Sequence, residues 1–120
     1  MTNPFALIIE DDPQLGQIFT LTLETEFDTE HITEGLSALA RLKEVLPIVI
    51  VLDLHLPGAS GKEILTQIRA DERLANTRVI LATADARQAE LLSQEADLIL
   101  LKPVSPMQLR ELAVRLRRSV

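Results

Sequence analysis

Short apolar runs alternate along the chain with longer amphipathic segments. An uninterrupted apolar run predicts a buried strand, whereas a period near 3.6 residues predicts a helix. The predicted strands are residues 5–9, 28–33, 48–52, 78–82 and 98–101. The predicted helices are residues 13–26, 36–44, 61–70, 86–94 and 106–118. The resulting (βα)₅ order predicts an α/β fold, a doubly wound flavodoxin-like sandwich around a parallel sheet of five strands.

Four of the five predicted strands are apolar enough to be buried on both faces. The exception is the second strand, DTEHIT, which is mostly polar, and we interpret His31 within it as an exposed spectator. The apolar positions of the last helix predict a stripe that faces the core, formed by Met107, Leu109, Leu112, Ala113 and Leu116. The positions suited to capping the helices are Asp12, Ser60, Asp85 and Ser105.

Polar or charged residues follow each of the apolar strands. Right-handed crossovers bring the carboxyl ends of all parallel strands to one edge of the sheet. In the strand order 2-1-3-4-5, the ligand crevice opens at this edge between strands one and three. The residues placed there are Glu10, Asp11, Asp53, Thr83 and Lys102.

This group of side chains has the composition of a phosphoryl-transfer site. Two carboxylates about 4 Å apart repel by roughly 4 kcal/mol at an effective dielectric constant near 20, so cations must offset the cluster. Mg²⁺ prefers oxygen ligands and needs only a few carboxylates, and Lys102 supplies one more positive charge. A carboxylate beside a metal ion, a lysine and a hydroxyl can attack a phosphoryl group, which makes Asp53 a candidate nucleophile.

Composition narrows the class of protein. The chain has 120 residues, of which 47% are hydrophobic and 25% charged, so we expect one folded domain over residues 1–120. The formal net charge of -6 argues against direct nucleic-acid binding by this domain. The absence of cysteine excludes disulfides and thiolate metal sites. Without an apolar run long enough for a bilayer, or a signal peptide, we expect a soluble cytoplasmic protein with no membrane partner.

Four segments in order resemble the response regulator receiver domain of two-component signalling, and the resemblance covers essentially the whole chain. LIIEDDP is similar to the acidic pocket of that family, and VLDLHLPGASG is similar to its phosphoacceptor segment. LATAD is similar to its hydroxyl segment and LKPVSP to its lysine-proline segment.

The resemblance implies a role for each of these residues. Asp53 is expected to accept a phosphoryl group from the phosphohistidine of a sensor histidine kinase or phosphotransfer protein. Mg²⁺ is expected to bind Glu10, Asp11 and Asp53 together with the backbone carbonyl of His55. Thr83 is then expected to hydrogen-bond the phosphoryl group and Lys102 to pair with it, with a cis bond between Lys102 and Pro103.

The chain departs from the family pattern at positions that concern output. Ile99 stands where the family commonly carries an aromatic residue that turns inward on activation, and isoleucine has neither a hydroxyl nor a free first torsion. Val104 and Glu95 replace a common phenylalanine and glycine. Aliphatic packing throughout a chain with only 2% aromatic residues is the simpler explanation for Ile99 and Val104. Leu98 and Gln108 stand where winged-helix regulators carry acids, so we do not assign the chain to that group.

The leading hypothesis is therefore a signalling switch that accepts phosphate and slowly hydrolyses it, and not a metabolic enzyme. One alternative is a receiver-like binding module that no longer responds to phosphate, which Ile99 makes credible. The other is an aspartyl-nucleophile phosphatase of the haloacid dehalogenase kind. That class needs a second acid two residues beyond the nucleophile, where this chain has His55.

Overall fold

Helices cover both faces of a parallel sheet of five strands in the computed structural model, which describes residues 3–118. The strands are β1 (Phe5–Ile9), β2 (Asp28–Ile32), β3 (Val49–Leu52), β4 (Arg78–Thr83) and β5 (Leu98–Leu101). The helices are α1 (Pro13–Leu23), α2 (Gly35–Leu42), α3 (Gly61–Ala70), α4 (Ala86–Leu91) and α5 (Pro106–Arg118), with a 3₁₀ turn at Glu72–Leu74. The strand order β2-β1-β3-β4-β5 confirms the predicted 2-1-3-4-5 topology.

The sheet separates two apolar cores because successive side chains on a strand point to opposite faces. One core packs Leu7 and Ile50 of the sheet against α2, α3 and α4. The other packs Ile8 and Val51 against α1 and α5, and its largest side chains are Phe19 and Phe27. Both faces of β1 and β3 are thus buried, which explains why these strands are apolar at every position.

The predicted caps are confirmed, and most differences lie at the other end of the helices. Asp12, Ser60, Asp85 and Ser105 each accept a hydrogen bond from a backbone N–H of the helix that follows. Helix α1 was predicted to reach residue 26, α2 residue 44 and α4 residue 94, but they end at Leu23, Leu42 and Leu91. After α4, the N–H of Ser93 donates to the carbonyl of Glu90, and the N–H of Glu95 donates to the carbonyl of Leu92. Each of these hydrogen bonds spans three residues, which is the tighter spacing of 3₁₀ turns.

The prediction that β5 is buried on both faces is wrong. Leu98 and Ile99 are half-buried, and Leu101 is 51% exposed. The reason is that β5 lies at the edge of the sheet, where it pairs with β4 alone. The predicted apolar stripe of α5 is also shorter than expected, because Met107 is 66% exposed while Leu109 and Ala113 are buried.

Two glycines let helices approach the loop that follows β3. A Cβ on Gly61, at the start of α3, would collide with the backbone of Asp53 and Leu54. A Cβ on Gly35, at the start of α2, would collide with the backbone of Ala59. The Gly61 N–H also donates to the Leu54 carbonyl at 2.9 Å. This close packing holds the backbone of Asp53 against the start of α3.

Among residues 3–118, none of the helices has the length and apolar character needed to cross a membrane.

Gly61→Ala should destabilise the fold by about 3 kcal/mol, because the new methyl group meets backbone that cannot move aside as a flexible side chain can. Urea unfolding measures the change. The matched control is Gln67→Ala on the exposed face of the same helix, which should alter the free energy of unfolding by less than about 0.5 kcal/mol. Equal effects of the two variants would contradict the close approach at Gly61.

Candidate functional site

Four of the five strands deliver a polar side chain to the same edge of the sheet. Glu10 directly follows β1, Asp53 follows β3 and Lys102 follows β5, while Thr83 is the last residue of β4. The parallel order places all of these ends together, so the structure brings the sequence-predicted residues into one site.

The acidic side chains form a close cluster. One carboxylate oxygen from each of Glu10, Asp11 and Asp53 lies within 4.8 Å of the other two. Glu10 is only 1% exposed and Asp53 only 4%, whereas Asp11 is exposed to solvent. At this separation two full negative charges repel by roughly 3 kcal/mol at an effective dielectric constant near 20. Burial removes much of the water that would otherwise screen them.

Lys102 is the counter-ion of the buried pair. Its Nζ lies 2.7 Å from Oε1 of Glu10 and 3.2 Å from Oδ2 of Asp53. Burial alone would lower the pKa of Lys102, but the bond to Glu10 and the charge of Asp53 outweigh it and raise that pKa. The backbone N–H of Lys102 donates to the Thr83 carbonyl at 2.9 Å, and the Lys102–Pro103 bond is cis, as expected.

Glu10 holds its proton far more readily than an ordinary carboxyl. Burial raises its pKa from 4.5 to about 7, against the lowering effect of the Lys102 bond, and the charge of Asp53 adds to the rise. The Asp12 N–H donates to Oε2 of Glu10 at 3.1 Å and opposes the rise as well. A single lysine therefore does not neutralise the cluster.

The donor set fits a hard divalent cation. Among the described residues, Oε1 of Glu10 is buried without a well-directed hydrogen bond, although Lys102 lies beside it as an ion pair. Carboxylate oxygens at this spacing are the ligands that Mg²⁺ prefers. The backbone N–H of His55 donates to Oδ1 of Asp53 at 3.3 Å, which places this residue next to the cluster. The role of the His55 carbonyl as a further ligand stays a prediction.

A histidine-aspartate pair forms the rim of the site. Nε2 of His55 lies 3.0 Å from Oδ2 of Asp85, and the His55 side chain is 65% exposed, so the imidazole lies at the rim of the site. Asp85 was predicted only as a helix cap. Its N–H also donates to Oγ1 of the buried Thr83 at 3.1 Å. The hydrogen bond from the Gln88 N–H lowers the pKa of Asp85 the most, and the hydrogen bond from His55 lowers it further.

The interpretation of His31 as an exposed spectator is wrong. The residue is half-buried, and its Nε2 lies 2.8 Å from the backbone carbonyl of Glu10. The imidazole occupies space over α1 that exists because residue 16 is a glycine. A glycine inside a helix is costly, so Gly16 was the signal in the sequence that a neighbouring side chain needs this space.

Comparison with known proteins gives one consistent family. The model of the response regulator receiver domain matches residues 6–114. The DNA-binding response regulator MtrA of Mycolicibacterium smegmatis is 34% identical over 118 residues, which cover 94% of this chain and 50% of MtrA. The chain thus spans about half the length of the curated relatives first matched.

Solved structures give the same fold. The receiver domain of the Francisella response regulator 1452 has a TM-score of 0.86 and 28% identity, with 98% of both chains covered. The signal receiver domain of a signal transduction histidine kinase from Syntrophus aciditrophicus has a TM-score of 0.87 and 28% identity, covering 98% of this chain and 92% of that one. Similar domains therefore occur both in regulators and in kinases.

The raised pKa of Glu10 predicts an unusual dependence of stability on pH. Below pH 4.5 Glu10 is protonated in both the folded and the unfolded chain, so its contribution to the free energy of unfolding is at its maximum. As pH rises through about 7, the folded chain must bury the charge, so this contribution is lost. In metal-free buffer, wild type should lose on the order of 2 kcal/mol relative to Glu10→Gln between pH 5 and pH 8.

Urea unfolding at the two pH values, with a chelator present, measures this difference. Glu90→Gln removes an exposed carboxylate and is the matched control, so it should follow the wild-type dependence. Parallel curves for wild type and Glu10→Gln would show that burial does not hold the proton on Glu10.

Proposed function

This chain belongs to the response regulator receiver domain family of two-component signalling, and we propose that it is a switch whose Asp53 accepts a phosphoryl group. The observation that carries the proposal is the state of Asp53. This carboxylate is 4% exposed directly after a buried strand, with Lys102 on one of its oxygens and the carboxylates of Glu10 and Asp11 nearby. A purely structural cap would not need this cluster.

The proposed transfer uses the Asp53 carboxylate as the nucleophile. One of its oxygens forms a bond to phosphorus while the bond from phosphorus to the imidazole nitrogen of the kinase phosphohistidine breaks. The electron pair leaves with that imidazole, and Asp53 becomes an acyl phosphate. The His55 N–H and Lys102 hold the two Asp53 oxygens before transfer, which limits rotation of the carboxylate.

Glu10, Asp11 and Asp53, with the His55 backbone carbonyl, would hold Mg²⁺ in this proposal. When bound, the ion supplies positive charge that offsets the carboxylates and the charge on the transferring oxygens. Three carboxylates are balanced by Mg²⁺ and Lys102 together, so the loaded site is neutral before transfer. Loss of the Glu10 proton accompanies loading.

The new phosphate adds negative charge that Thr83 and Lys102 are placed to receive. The Thr83 hydroxyl accepts a bond from Asp85 and can still donate its own proton to a phosphoryl oxygen. Lys102 is the cation nearest to Asp53. Movement of Thr83 toward the phosphate pulls on the start of α4 through Asp85, which caps that helix. The acyl phosphate is then slowly lost by hydrolysis at the same site.

The partners follow from this chemistry. A sensor histidine kinase or phosphotransfer protein in the cytoplasm supplies the phosphoryl group. The matched relatives include a DNA-binding regulator and a hybrid histidine kinase, so the family does not specify one output. The acidic balance of this chain means that any nucleic-acid binding resides outside it. The family assignment gives no support to the aspartyl-nucleophile phosphatase.

A second candidate is a binding module that does not respond to phosphate. Ile99 favours it, because this β-branched residue lies half-buried against the core and pairs in register with Leu81 of β4. Such a side chain cannot exchange hydrogen-bond partners as Thr83 moves. Phosphorylation would then occur without a change in α4.

Incubation with Mg²⁺ and acetyl phosphate should add one phosphoryl group to the wild-type chain, as measured by intact mass. Asp53→Asn should abolish the addition, since the amide oxygen is a poor nucleophile. Asp28→Asn, which changes an exposed acid at the start of β2, is the matched control and should be modified as wild type is. Excess chelator should prevent modification.

Persistence of the added mass in Asp53→Asn would refute the assignment of the acceptor. No modification of the wild-type chain would refute the switch. Consumption of many equivalents of acetyl phosphate, with comparably fast release of phosphate, would instead indicate a phosphatase.

Thr83→Val should be phosphorylated at a rate near that of wild type but should lose the conformational response. Valine keeps the shape of threonine and removes the hydroxyl that binds the phosphate and Asp85. Hydrogen exchange of residues 86–91, with and without phosphorylation, measures the response. Thr66→Val on the exposed face of α3 is the matched control. A wild-type chain without any response in α4 would favour the binding module.

A further inference from the structure

We propose that His31 is a positioning residue that, together with Gly16, holds the backbone of Glu10 in place for Mg²⁺ binding. The inference rests on the proposed function for its consequence, but the contact itself belongs to the metal-free chain. The resemblance that identified the acidic pocket assigned nothing to either His31 or Gly16.

The hydrogen bond has a defined direction. A carbonyl oxygen can only accept, so Nε2 of His31 carries the proton that bonds the Glu10 carbonyl at 2.8 Å. On the same residue, the Glu10 N–H donates to the Ile32 carbonyl at 3.0 Å. Strand β2 therefore holds Glu10 by both of its peptide groups, one through the backbone ladder and one through a side chain.

Gly16 makes room for this bond. An added Cβ at residue 16 would overlap three atoms of the His31 imidazole, whereas the glycine leaves that face of α1 open. The Gly16 N–H donates to the Asp12 carbonyl at 2.9 Å, so Gly16 lies in the first turn of α1. Glu10, Asp11 and Asp12 are consequently fixed between the strand on one side and the first helical turn on the other.

The position of the hydrogen bond between His31 and Glu10 gives it a role in metal binding. Glu10 has one oxygen on the Asp12 N–H and the other beside Lys102, and a shift of its backbone would displace both. Groups that orient metal ligands from outside the coordination sphere typically change affinity by about 10- to 100-fold when removed. His31 meets this description, because it touches the ligand residue and not the cluster itself.

Two substitutions separate the hydrogen bond from the volume of the imidazole. His31→Leu fills similar space and cannot donate, while His31→Gln places an amide N–H at about the position of Nε2. Titration calorimetry should show about tenfold weaker Mg²⁺ binding for His31→Leu and a change of less than about threefold for His31→Gln. Neither variant alters a group that contacts the ion in the proposed site.

Amide hydrogen exchange in metal-free buffer gives a readout that needs no ion. Exchange of the buried Glu10 N–H should be about tenfold faster in His31→Leu than in wild type, and His31→Gln should restore protection. The N–H of Ile48 donates to the Phe5 carbonyl at the amino ends of the strands, far from the acidic site. Its exchange rate is the internal reference and should not change. Faster exchange at both amides would indicate general destabilisation and contradict a positioning role.

A second pair of variants tests the space over α1. Gly16→Ala should displace the imidazole and reproduce the faster exchange at Glu10, whereas adding Gly16→Ala to His31→Ala should cause no further change. Gln17→Ala on the exposed face of α1 is the matched control.

The inference is overturned if His31→Leu matches wild type in both exchange and Mg²⁺ affinity, or if His31→Gln is impaired as much as His31→Leu. Absence of Mg²⁺ binding by the wild-type chain would refute the proposed function and the metal-positioning role with it. The exchange experiment would still decide whether His31 holds Glu10.

Discussion

The site depends on the burial of two carboxylates beside a single ammonium group. Glu10 and Asp53 are nearly inaccessible to water, and Lys102 contacts both, at 2.7 and 3.2 Å. Burying a charge is costly unless it is paired, and here two acids share one cation. The raised pKa of Glu10 is the direct consequence. The parallel sheet keeps these charges together, because each of the three residues directly follows a different strand.

The same constraint explains the loops around the site. Gly61 and Gly35 allow α3 and α2 to pack closely against the backbone of residues 53–59, which follows β3. His31 and Gly16 act in the same way on the other acid, because they hold the backbone of Glu10. In the proposed function, an incoming Mg²⁺ or phosphoryl group would meet side chains whose positions are already set.

The segments between the site and the surface, which are α4 and β5, are packed less closely than the site itself. Thr83 is joined to Asp85, which caps the six-residue helix α4 and pairs with His55 at the rim. Beyond it, the edge strand β5 leaves Leu101 exposed, and Leu91 of α4 and Met107 of α5 are exposed as well. Short elements with exposed apolar side chains are those whose arrangement a new charge can change at low cost. Ile99 is half-buried in this region, which is where output and phosphorylation would be coupled.

Sequence alone determined the alternation of strands and helices along the chain, the helix caps and the polar residues that follow the buried strands, since hydrophobic periodicity and local caps are encoded within a few residues. The identity of Asp53 as the residue after a buried strand followed from the same local pattern. Helix ends, the half-exposure of β5 and the pairing of Asp85 with His55 were decided by tertiary structure. His31 shows the reason most clearly: its polar strand predicted exposure, yet a glycine fifteen residues earlier gives its side chain a place against α1 and a carbonyl to bind. The glycine signals that some side chain needs the space, but which residue fills it depends on contacts between residues distant in sequence, and only the folded chain defines these.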